Sequence, residues 1–139
     1  MSFVERLLAC WEEPVDERAD PEADFRTVYH DPVTINGVAT PVADLVRRAR
    51  ALQEALEGRR TRIVHRIESA DVIVIGFYLT GRHVGAFPCA LGRVPATGVE
   101  ITARATDILT LVDGRVKDIW VISDDLAVLA QMDAVRLTV

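Results

Sequence analysis

The chain reads as an α+β fold, on three observations. Apolar residues recur at helical spacing up to Leu56, and alternate with polar ones from Arg62 onward. Three helical segments therefore come first and four strands follow in meander order. Between the last two strands stands Asp113-Gly114, a strong signal for a two-residue hairpin turn.

From the N-terminus, Ser2-Phe3-Val4-Glu5 reads as a capping box, and Phe3, Val4, Leu7, Leu8 and Trp11 continue at helical spacing until Pro14. Asp20-Pro21 opens a second short helix that buries Phe25, Val28 and Tyr29, and His30-Asp31-Pro32 breaks it. Val33 to Val38 is a short strand entering an Asn36-Gly37 turn. Thr40-Pro41 starts a longer helix with Val42, Leu45, Val46, Ala49, Leu52 and Leu56 on one face and Gly58 as its stop. Long strands are expected over Arg62 to Ile67, Val72 to Thr80 and Ile101 to Val112, with a loop or bulged crossing from Gly85 to Gly98. After the Asp113-Gly114 turn, simple pairing sets Leu111 opposite Val116, Leu109 opposite Asp118 and Asp107 opposite Trp120. Val116, Asp118, Trp120, Ile122 and Asp124 would then share one face, the mouth of an apolar pocket.

Composition narrows the function. At 139 residues a single domain over 1–139 with a sizeable core is expected, and 50% hydrophobic with 27% charged residues is ordinary for a globular protein. A net charge of -5 argues against nucleic acid as a partner. The basic runs Arg47-Arg48-Arg50 and Arg59-Arg60-Arg62 read as solvated ends of a helix and a strand. Cys10 and Cys89 form no framework and no metal-ligand spacing, and no phosphate loop or nucleophile motif appears, so no metal and no cofactor is implied. The first residues carry an early acid and no long apolar run, so no membrane partner and a cytoplasmic setting are the expectation. A curved sheet partly covered by helices would leave a concave apolar site suited to a hydrophobic small molecule.

One set of residues resembles a known family. Gly81-Arg82-His83-Val84-Gly85, Pro95-Ala96-Thr97-Gly98, Asp113-Gly114, Trp120, Asp124, Leu126, Leu129, Gln131 and Met132 are similar, in order and spacing, to the signature of the SnoaL-like polyketide cyclases. Arg82, the extra Ala96 and Asp133 depart from that pattern. The resemblance implies a cone of the nuclear-transport-factor-2-like group, in which a curved, mostly antiparallel sheet wraps a central pocket. It also implies a homodimer, and a cofactor-independent, aldol-type ring closure of a polyketide-like molecule.

By that resemblance Asp124 is the general acid/base and His83 its assistant, with Trp120 and Ile122 as pocket wall. The residues alone keep alternatives open. Asp124 or Asp125 could simply cap the last helix, and His83 could be structural. Tyr29, Phe77 and Trp11 read as pocket wall or core, Asn36 first of all as a turn residue, and Asp107 as a second cavity acid. Two rival functions remain: another lyase, isomerase or epoxide-opening reaction in the same cone, and a non-catalytic binding protein.

Overall fold

The computed structural model describes residues 1–139, and its elements follow the expected order with three additions, a 3₁₀ turn, a strand after the Asn36-Gly37 turn and a small hairpin. Helix α1 (Phe3–Glu12) begins with the reciprocal cap: Glu5 N–H donates to Ser2 Oγ at 3.2 Å and Ser2 N–H to Glu5 Oε2 at 2.7 Å. A single 3₁₀ turn at Val15–Glu17 leads to α2 (Pro21–Arg26), whose Ala23 N–H is capped by Asp20.

Helix α2 is shorter than expected. Val116 N–H donates to the Val28 carbonyl at 2.8 Å and draws the chain into the sheet. Tyr29 therefore opens strand β1 (Tyr29–Ile35) instead of lying on a helix. Asn36-Gly37, both with left-handed φ (46° and 83°), turns β1 into β2 (Val38–Thr40). Helix α3 (Val42–Ala55) lacks a cap of its own, and Asp31 Oδ1 accepts from Val42 N–H at 3.0 Å instead. It passes directly into β3 (Leu56–Glu68). Gly58, expected to stop the helix, sits inside that strand at φ +64° in a register shift.

Strand β4 (Val72–His83) follows, and the stretch expected as a loop folds into the small hairpin β5 (Phe87–Cys89) and β6 (Gly92–Val94). Strands β7 (Glu100–Val112) and β8 (Arg115–Ser123) and helix α4 (Asp125–Gln131) complete the chain. The main sheet runs β2-β1-β8-β7-β4-β3, antiparallel except where β1 pairs with β8. The expected meander is its β3-β4-β7-β8 portion. Irregularities in β1, β3 and β8 bend it, and α3 closes over the concave side against β1 and β3. No helix is long and apolar enough to cross a membrane.

One bulge decides which residues face inward. Val112 pairs with Arg115 and Leu111 with Val116, but the next pair is Thr110 with Asp118. Lys117 is the extra residue. Beyond it the register has slipped by one, so Asp107 lies opposite Val121, and Trp120 opposite Ile108. Because side chains alternate, a one-residue slip exchanges the faces. Val116 stays inside, and Ile119 and Val121 follow it. Trp120 and Ile122, expected as pocket wall, are turned to the outer face, 56% and 65% exposed.

Candidate active site

A cavity of about 700 Å³ opens on the concave side between two apolar clusters. Its deeper end is bounded by Leu7, Tyr29, Leu45, Ile75, Leu109 and Ile119, all buried. Its other end reaches Leu52, Leu79, Phe87 and Ala103, which pack on the second cluster. Phe77 and Trp11 form wall between them.

Asp107 is a carboxyl set in this apolar wall. Its Oδ1 is buried without a hydrogen-bond partner, and desolvation raises its pKa from 3.8 to about 6. Elsewhere on the same wall, Trp11 Nε1–H donates to the Tyr29 hydroxyl oxygen at 2.8 Å, while the Tyr29 ring stacks on Phe25. No protein acceptor engages the Tyr29 proton. Burial pushes the Tyr29 pKa up against the opposing Trp11 hydrogen bond, with smaller contributions from Cys10 and Asp107, so the phenol stays protonated and can donate. A carboxyl that can hold or release a proton near pH 6 therefore shares the cavity with a fixed O–H donor.

Asp124 is differently employed. It is the N-cap of α4, accepting from Ala127 N–H at 3.2 Å, and its Oδ2 binds the Arg104 guanidinium at 3.0 Å. It borders a shallower depression on the outer face, with His65, Tyr78 and Ile122. The helix-cap alternative describes its position, and the cavity does not contain it. Asp125 reaches the cavity rim, with Ser123 Oγ donating to its carboxylate at 2.8 Å.

His83 is wholly buried and spends both nitrogens on the chain. Thr97 N–H points at Nδ1, at 3.3 Å, making that nitrogen an acceptor for the Thr97 hydroxyl at 2.8 Å as well. The proton is therefore assigned to Nε2, which faces the Val94 carbonyl at 3.2 Å. His83 is thus a clasp between β4 and the segment after β6. A Cβ on Gly85 would stand 2.4 Å from the Glu54 carbonyl oxygen, so a close backbone approach requires that glycine. The two upstream motifs meet as one structural joint. Asn36 is likewise committed, exchanging hydrogen bonds of its side-chain amide with the Val121 backbone at 2.9 and 3.0 Å.

The structure thus brings Tyr29, Trp11, Phe77 and Asp107 together in the cavity, and leaves Asp124, His83, Trp120 and Ile122 outside it. Asp107 was expected there on a register that would have turned it away from Val121. The signal for its true setting is local: an acid alternating with Ala103, Ala105, Leu109 and Leu111 on the apolar face of β7.

Comparison with known proteins agrees with this architecture. A family model described as SnoaL-like polyketide cyclase matches residues 2–132. The chain belongs to that family. Its fold is similar to TsrD from Streptomyces laurentii, at 21% identity and a TM-score of 0.78, covering 96% of this chain and 93% of that one. It is also similar to a SnoaL-like polyketide cyclase candidate from Jannaschia sp. CCS1, at 21% identity and a TM-score of 0.73, with 96% and 93% covered. AclR from Streptomyces galilaeus, described as a candidate hydroxylase, shares 19% identity and a TM-score of 0.68, with 99% and 87% covered. No curated protein sequence matches. Family membership supports a cyclase-like function, and these low identities establish the shared cone alone.

The setting of Asp107 predicts a pH signature. The unfolded chain loses this proton near pH 4 and the folded protein near pH 6, so in between the folded state binds more protons. The contribution of Asp107 to stability therefore falls as pH rises through that window, by up to about 3 kcal/mol, and levels off above it. Urea unfolding of wild type and Asp107→Asn at pH 4 and pH 7 checks this. The wild type should lose stability relative to the variant at the higher pH.

Proposed function

We propose that the cavity performs cofactor-independent, acid/base-assisted ring closure on a hydrophobic, polyketide-like molecule, with Asp107 as the proton-transferring residue. The observation that supports this most is the unpartnered Asp107 carboxyl in the same apolar cavity as the Tyr29 hydroxyl. Ionised Asp107 takes a proton from a carbon next to a carbonyl, and the resulting enolate oxygen accepts a hydrogen bond from Tyr29. The enolate carbon attacks a second carbonyl of the same molecule, and Asp107 returns its proton to the new alkoxide. One carbon–carbon bond forms, and no atom enters or leaves. Trp11 is a positioning residue that fixes the Tyr29 hydroxyl. Phe77, Leu109 and Ile119 hold a flat chain in a reactive conformer, which is largely a problem of orientation.

The same wall supports ring closure over the rival readings. Epoxide opening needs an acid and a base at one water, and the other carboxylates on the wall, Glu12 and Asp125, belong to exposed residues. A binding protein gains nothing from a carboxyl left unpaired among apolar groups.

Deuterium incorporation from D₂O into a bicyclic β-diketone, followed by NMR, reports the first step without knowledge of the natural substrate. The wild type should accelerate exchange with an inflection near pH 6. Asp107→Asn should lose about a hundredfold of that acceleration and Tyr29→Phe about tenfold, each with binding retained. Wild-type exchange no faster than buffer would favour the binding protein, and an active Asp107→Asn would remove the role of Asp107.

We further propose that a second copy of the chain covers the outer face, where Trp120, Ile122, Ile108 and Val64 expose apolar surface. Sedimentation velocity should give a wild-type dimer that Trp120→Glu converts to monomer. A wild-type monomer at micromolar concentration would contradict the pairing.

A further inference from the structure

The inner side of the sheet is lined unevenly. Strand β4 presents Ile75, Phe77 and Leu79 to the cavity, and β8 presents Ile119 and Val121. Between them, at the same alternating positions, β7 presents Asp107, then Ala105 and Ala103. Ala105 stands level with Phe77, and Ala103 with Leu79. Alanine is a poor strand former, since strands favour β-branched and aromatic side chains. Two of them in succession on the inner face leave a trough along β7 that leads away from Asp107.

The far end of that trough is apolar and uncovered. Leu52, Leu79, Phe87 and Ala103 rest on the second cluster and are only partly buried. The residues bounding the deeper end, among them Tyr29, Leu45, Ile75 and Leu109, are buried. The cavity is therefore closed at the Asp107 end and opens at the Phe87 end. At the rim of this mouth Glu12 and Asp125 are exposed, Arg59 donates to the Glu12 carbonyl at 3.3 Å, and Ser123 donates to Asp125 at 2.8 Å. With Arg48, also exposed, the rim carries matched charges of both signs, which favour neither an anion nor a cation on the ligand.

The strand sets the length of the trough. Asp107 is level with Ile75 on β4 and Ala103 with Leu79, so the two ends are roughly 13 Å apart along the strand. An extended carbon chain advances about 1.2 Å per bond, so about eleven bonds span that distance. A compact molecule held at the Asp107 end would leave the Phe87 end as apolar wall facing water. A molecule long enough to reach Phe87 covers that wall, and each methylene it buries is worth about fourfold in affinity.

We infer that the substrate is elongated: its reacting carbonyls enter first, towards Asp107, and an uncharged apolar tail lies over Ala105 and Ala103 and ends at the Phe87 mouth. This rests on the cavity being the substrate site with Asp107 at its reacting end, and adds a length and an orientation to the class of substrate. Ala105 and Ala103 are then specificity-determining positions. A larger side chain at either shortens the tail that fits, and the position nearer Asp107 shortens it more.

The test uses 4-alkylcyclohexanones with straight tails from methyl to undecyl, in which carbonyl and tail stand at opposite ends of the ring. Quenching of Trp11 in a Trp120→Phe background, where it is the sole tryptophan, reports binding. Deuterium exchange next to the carbonyl reports proton transfer. Wild-type affinity should rise about fourfold per methylene and, with the ring supplying two of the bonds, level off at about nine tail carbons. Ala105→Leu stands about 7 Å from Asp107 along the strand and should end the rise after about four carbons. Ala103→Leu should keep that first part of the rise and lose the last. Ala105→Val, a smaller intrusion, gives the same early break if the leucine variant does not fold. Affinity independent of tail length, or an equal rise in wild type and both variants, overturns the elongated substrate. An earlier break in Ala103→Leu than in Ala105→Leu overturns the orientation. Length-dependent binding with no accelerated exchange at any tail length upholds the trough and overturns the proton transfer proposed for Asp107.

Discussion

A single extra residue, Lys117, is the constraint on which the site depends. The β7–β8 hairpin begins in the register its two-residue turn imposes, and that register alone would put Trp120 opposite Asp107. The bulge changes the parity of β8. Ile119 and Val121 then share the inner face with Asp107, and Trp120 and Ile122 leave it. Asp107 thereby loses any polar neighbour across the strand pair. Its neighbours on the other side are Ile75 and the residues that alternate with it. Desolvation follows from this arrangement, and the raised affinity of the carboxyl for its proton follows from desolvation.

The rest of the chain supports this strand pair from two directions. Tyr29 reaches the cavity because Val116, just before the bulge, holds the Val28 carbonyl and begins the parallel β1–β8 contact. Gln53 on α3 donates to the Trp11 carbonyl at 2.9 Å, so the helix that covers the cavity also holds the helix that carries Trp11. At the opposite end, His83 and Thr97 fasten the segment after β6 to β4. The motif residues that mark the family most clearly in sequence are thus a joint, and the site lies on ordinary-looking strand positions.

This explains what could be read from the sequence. Helix α1 with its cap, the Asn36-Gly37 and Asp113-Gly114 turns and the four-strand meander were legible because each depends on local periodicity or local turn chemistry. The end of α2 was not, because a partner some 88 residues later (Val28 with Val116) decides it. Nor was the bulge: Arg115 to Ser123 contains neither glycine nor proline to announce it. Every face assignment beyond Lys117 was consequently inverted. Asp124 looked like a cavity acid by the family resemblance and in the unbroken register, and its capping role, a local one, was readable from Ser123-Asp124-Asp125 before a leucine-rich turn.

The most direct test of this account is the titration of the Asp107 carboxyl, followed by carbon NMR with Asp107→Asn to assign the signal. The account predicts a midpoint near pH 6, well above the ordinary carboxylate range. A midpoint at or below about 4 would mean a solvated or hydrogen-bonded carboxylate, and would contradict both the inward face assigned to Asp107 and its role in proton transfer.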